Sequence, residues 1–148
     1  MSPTPPIPRP ALILGLTGTL PFLFAAFAAP TPAAALDLSA AYGLVILCFM
    51  AGTHWGFASG DRVLWGFGLS VLPALAAFFL LTDHLMTAVI LSPIARHWIL
   101  TALFAALVPI DAALQSAGLA PPWWLRLRAL ITLIVLTALI LTGLGQTP

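Results

Sequence analysis

Three histidines, four aspartates and five arginines carry nearly all the ionisable chemistry of this 148-residue chain, which has no lysine and no glutamate. Two of these groups stand inside long apolar runs: His54 in "AGTHWGFASG" (51–60) and Asp111 in "LVPIDAAL" (107–114). A carboxylate in such surroundings costs several kcal/mol unless it is paired, so Asp111 is expected to take Arg126 or Arg128 as its partner. His54 admits two readings. It is either a neutral ring bonded to Asp111, Thr17 or a backbone carbonyl, serving as glue between helices, or a ligand, quinone hydrogen-bond donor or proton relay, because imidazole titrates near neutrality. His54, Trp55, Asp111, Arg126 and Arg128 therefore form the candidate buried polar site.

Other chemistry is poorly supplied. A haem held by two histidines needs both at one depth, and His84 and His97 fall near the opposite face. Zinc takes three or four ligands where His54 and Asp111 give two, so no metal site is assigned and no cofactor is required. Phosphate loops, serine elbows, zinc-protease motifs and paired cysteines are absent, and lone Cys48 reads as a packing residue. No catalytic residue is named, and the chain reads as a non-enzyme.

The elements that must position these groups are membrane spans. Sixty-one per cent of residues are hydrophobic and 6% charged, far from the soluble average of about a quarter charged. The net charge of +1 gives no footprint for nucleic acid. Each crossing needs ~20 apolar residues, and five runs qualify, at about 11–29, 40–58, 63–82, 98–115 and 125–144. The expected fold is an all-α integral membrane bundle of five transmembrane helices. A proline-rich leader (1–10) precedes one membrane domain (11–148). The first run also has features of a cleavable signal, with Ala-x-Ala at 26–28, but its apolar part is longer than a signal core and it is read as a span. The stretch 85–96 is too short to span and reads as a short interfacial helix between spans three and four, or as the first turns of span four.

Arg9, Arg62, Arg126 and Arg128 fall on one side and Arg96 on the other, which puts the N-terminus in the cytoplasm and the C-terminus in the periplasm. With spans two and four entered from outside, His54 and Asp111 both lie roughly 21 Å in, at ~1.5 Å per residue, in one layer near the cytoplasmic face. Trp123 and Trp124, with Arg62 at the turn "SGDR" (59–62), are the expected anchors of that interface. Gly52, Gly56 and Gly60 recur every four residues, and Gly15 with Thr19 repeats the spacing. Both sets are expected to let neighbouring helices approach closely. Pro21, Pro73 and Pro109 are expected to kink spans one, three and four.

"GTLPF" (18–22), "YGLVILCFMAGTHWG" (42–56), Pro73, Asp111 and "PPWWLRLRALIT" (121–132) resemble, in order and spacing, the bacterial and mitochondrial family called domain of unknown function 3429 (transmembrane protein 69-like proteins). The resemblance covers about 11–144 and implies a small multi-pass protein of the bacterial inner membrane, or of the mitochondrial one in eukaryotes. It implies no reaction. Two functions follow as expectations. The first is a non-enzymatic accessory or assembly subunit that docks on a larger energy-transducing membrane complex, with the bilayer and a membrane protein as partners. The alternative is a binder or carrier of a quinone, lipid, tetrapyrrole pigment or proton at the buried polar site. That alternative predicts a pocket at the depth of His54, lined by aromatic and small residues with few polar atoms.

Overall fold

The computed structural model describes residues 5–61, 64–86 and 91–146, and its described secondary structure is entirely helical. Helices α1 (Arg9–Thr17) and α2 (Leu20–Phe27) form the first pass. They are followed by α3 (Pro32–Asp61), α4 (Leu64–Met86), α5 (Pro93–Ser116) and α6 (Trp124–Leu144). All five passes are long and apolar enough to cross a membrane. The exterior differs from that of a water-soluble protein. His54 and Asp111 are fully buried while Phe27 and Leu64 are 70% and 85% exposed, an arrangement that suits a lipid exterior. The protein is a multi-pass membrane protein.

The break in the first pass follows from Pro21, which has no N–H to continue the ladder. Phe22 N–H turns to the Thr19 carbonyl at 3.1 Å, and the freed Gly18 carbonyl accepts the Tyr42 hydroxyl at 3.0 Å. Pro73 and Pro109, expected to kink their spans, lie inside α4 and α5 without breaking them.

Two boundaries differ from the sequence expectation. Helix α3 starts at Pro32 rather than near residue 40, because Thr31 caps it by accepting Ala34 N–H at 3.1 Å, proline suits the first helical position, and alanines follow. At thirty residues it is ~45 Å long, more than a hydrocarbon core requires. The separate interfacial helix is not found among the described residues. Ser92 caps α5 through Ala95 N–H at 3.2 Å, so 93–96 form the first turn of the fourth pass; residues 87–90 lie outside the described ones.

Helix α3 packs on α2, α4, α5 and α6, and α6 packs in turn on α1, α2, α3 and α5. Phe22 anchors the centre, edge-on to Tyr42 at 5.1 Å and to Phe104 at 5.4 Å. The close helix approaches use glycines other than the expected α3 stripe. Gly43 faces Leu100, Gly66 faces Ala58 and Gly143 faces the Trp98 ring, each near enough that an added methyl would collide. Gly15 does lie against Ile131, and Thr19 is buried. Gly52, Gly56 and Gly60, by contrast, meet nothing within 4 Å. The stripe lies open because no other described helix of the chain covers that face of α3.

Candidate functional site

The connection between α5 and α6 brings the charged groups together. Helix α5 ends at Ser116, and Gly118 adopts a positive φ of 76°, which lets Leu119 N–H return to the Leu114 carbonyl at 3.0 Å. The Gln115 side-chain oxygen then accepts Leu125 N–H at 2.8 Å, capping the start of α6. Asp111 lies one turn before Gln115, and Trp124 and Arg128 are one turn apart on α6, so the hairpin sets one beside the others.

Asp111 is the hub. Its Oδ1 accepts from Trp124 Nε1 at 2.7 Å and from His54 Nε2 at 2.9 Å, and its Oδ2 accepts from Arg128 Nε at 2.8 Å. One carboxylate thus ties α3, α5 and α6, with three donors and one neutralising cation. A carboxylate oxygen only accepts, so Nε2 of His54 carries its hydrogen. Sequence reasoning left the partner of Asp111 open between two arginines; it is Arg128, which is buried. Arg126 is exposed and donates to the Pro5 carbonyl. Trp55 is half exposed and lies edge-on to Phe67, away from the hub. Trp124, expected at the headgroup level, turns its indole inward and packs on Phe57. Arg62 lies outside the described residues.

Among the described residues, four buried side-chain polar atoms have no hydrogen-bond partner, and three belong to this layer: His54 Nδ1, Arg128 Nη2 and Thr132 Oγ1. Thr132 is one turn beyond Arg128 on the same face of α6. It stands apart from the other described helical threonines. Thr17, Thr53, Thr82, Thr101, Thr137 and Thr142 all bond a carbonyl three or four residues back. Arg128 and Thr132 line a cleft of about 430 Å³ between α1, α3 and α6, walled by groups such as Gly15, Met50, Trp123 and Ile131. That volume falls within the ~300–1,000 Å³ of small-molecule sites. Sequence reasoning named Arg128 but missed Thr132, because nothing in the sequence marks a threonine that will not bond its own helix.

A second polar layer sits at the other end of the bundle. His97, also buried, shares a hydrogen bond with Ser39 Oγ at 3.1 Å and donates through Nε2 to the Leu139 carbonyl at 2.8 Å. Nearby in sequence, Arg96 bonds Asp83 at 2.9 Å, and Asp83 also accepts Leu91 N–H at 2.8 Å. The side chain of His84 lies outside the described residues. No group of three or more potential metal ligands occurs among the described residues.

The sequence profile of a family described as protein of unknown function (DUF3429) matches residues 7–144. Transmembrane protein 69 of Xenopus tropicalis is 33% identical over 149 residues, covering 90% of this chain and 53% of that protein. The chain thus spans about half the length of the curated relative it matches. No solved structure matches.

Proposed function

The chain belongs to the DUF3429 family, and on that premise we propose that it is an intramembrane binding protein for a membrane-soluble small molecule. The observation that carries this reading is the cleft itself. Its largely apolar lining includes Arg128 and Thr132, and each of these carries a buried polar atom, Nη2 and Oγ1, that has no partner within the described residues. Buried polar groups are paired in the great majority of cases, and an orphan beside a ligand-sized space is what a bound headgroup would satisfy. The hub holds the arginine in place. Asp111 engages Nε at 2.8 Å and so fixes the guanidinium, while Nη2 has no partner within the described residues. The reading includes no reaction.

The arginine distribution favours a cytoplasmic N-terminus, which would put the hub and the mouth of the cleft near the cytoplasmic leaflet. On this reading the chain forms one membrane domain over 11–148, in the inner membrane of a bacterium. A second reading, an accessory or assembly subunit of a larger membrane complex, draws on a different observation. The Gly52, Gly56 and Gly60 face of α3 is open along its length, and small-residue faces suit helix association.

The test is purification in mild detergent at native expression level, followed by mass-spectrometric identification of every retained protein and small molecule. The binding reading expects one class of small molecule at near-stoichiometric yield. Recovery of one membrane complex at near-equal ratio, with no small molecule, would replace it with the accessory reading.

A further inference from the structure

We infer that the head of the molecule held in this cleft is an uncharged carbonyl-type acceptor on an apolar body, the chemistry shared by a quinone and an acyl ester. The inference rests on the binding reading above and concerns only what the site selects. Arg128 Nη2 can donate and cannot accept, and the Thr132 hydroxyl beside it also offers a hydrogen. Two other hydroxyls of the wall are already committed, Tyr42 to the Gly18 carbonyl and Thr53 to the Phe49 carbonyl. Trp124, a further wall residue, gives its indole N–H to Asp111. Arg128 Nη2 therefore requires an acceptor, and the Thr132 hydroxyl, which can donate as well as accept, can share it.

Charge decides which acceptor. Arg128 is already neutralised by Asp111 Oδ2 at 2.8 Å, and His54 gives its one committed hydrogen to the same carboxylate. An anionic head would add a second negative charge to a buried group that is balanced without it. A carbonyl oxygen takes both hydrogens and leaves the balance unchanged. The rest of the cleft is apolar and aromatic, which suits an isoprenoid or acyl tail.

The experiment uses the full-length protein in detergent micelles, with intrinsic emission of its five tryptophans as the readout, of which Trp123 and Trp124 line the cleft. The probes are a decyl-substituted benzoquinone, which quenches tryptophan, and three competitors with tails of similar length: a monoacylglycerol, a fatty acid anion and an alkyl phosphate. The neutral carbonyl probes are expected to bind at least about tenfold more tightly than the anions. Thr132→Val should weaken the best neutral probe about two- to tenfold, the worth of one hydrogen bond. Tight quinone binding with weak monoacylglycerol competition would identify the quinone as the source of the carbonyl, and the reverse would identify the ester. Anions that bind as well as the neutral probes, or a Thr132→Val protein that binds unchanged, would overturn the inference and leave the binding reading standing. If no probe binds, or if Ile131→Trp, which fills the cleft, binds as well as wild type, the binding reading falls and the inference falls with it.

Discussion

The two polar layers use the same residue types to opposite ends. Around His97 both ring nitrogens find protein partners, on α3 through Ser39 and on α6 through the Leu139 carbonyl, and the ring acts as a closed lock. Around His54 and Asp111 the carboxylate is saturated by three donors, yet three buried atoms of the layer stay unpaired, and two of them belong to residues that line a cleft. A histidine joining helices explains the His97 ring completely, although Arg96 Nε at that end is also buried without a partner among the described residues, and it explains only part of the layer around Asp111. Buried polar groups that satisfy one another are complete in themselves. The remainder at Arg128 and Thr132 is what separates a site from glue.

Substitutions can break that contrast, beginning with the carboxylate at the centre of the open layer. Asp111→Ala leaves the Arg128 cation buried without its counter-charge and strips acceptors from His54 and Trp124. It should cost about 3–5 kcal/mol, read as loss of helical signal at lower temperature in circular dichroism. His97→Ala removes two buried hydrogen bonds and should cost about 1–3 kcal/mol while leaving ligand retention at the other end unchanged; a loss of ligand here would couple the layers and undo the distinction. Gly143→Ala drives a methyl into the Trp98 ring at 2.6 Å and should destabilise by about 1–3 kcal/mol. Gly56→Ala, with open space around it, should be neutral or stabilising by up to about 1 kcal/mol. The smallest effect is the sharpest. Thr142→Val breaks a bond to the Ala138 carbonyl and should cost about 1 kcal/mol, whereas Thr132→Val breaks none and should stay within about 0.5 kcal/mol of wild type.

Much of this was legible in the sequence, for a physical reason. Lipid forces each crossing to be a long apolar helix, so the five spans stand out by length alone, and a lone buried aspartate demands a cation. Depth counting placed His54 and Asp111 in one layer, and they touch at 2.9 Å. What depth does not carry is rotation about the helix axis. Arg126 and Arg128 differ by about 200° on α6 at ~3.6 residues per turn, and the sequence alone did not say which faces inward. For the same reason the sequence did not say that Trp55 and the α3 glycines, which share a depth with the hub, face outward. The start of α3 was lost because proline and alanine beside a threonine read as a loop until the cap is seen. Thr132 was invisible because its distinction is a bond it does not make.

The most direct measurement is native mass spectrometry of the protein released from mild detergent, wild type beside Ile131→Trp, with matched helicity as the check that both fold. A one-to-one small-molecule adduct is expected on wild type and should disappear when the cleft is filled. An adduct equally abundant on both proteins, or none on wild type, would contradict a binding cleft and leave the Asp111 layer a helix lock like the one around His97.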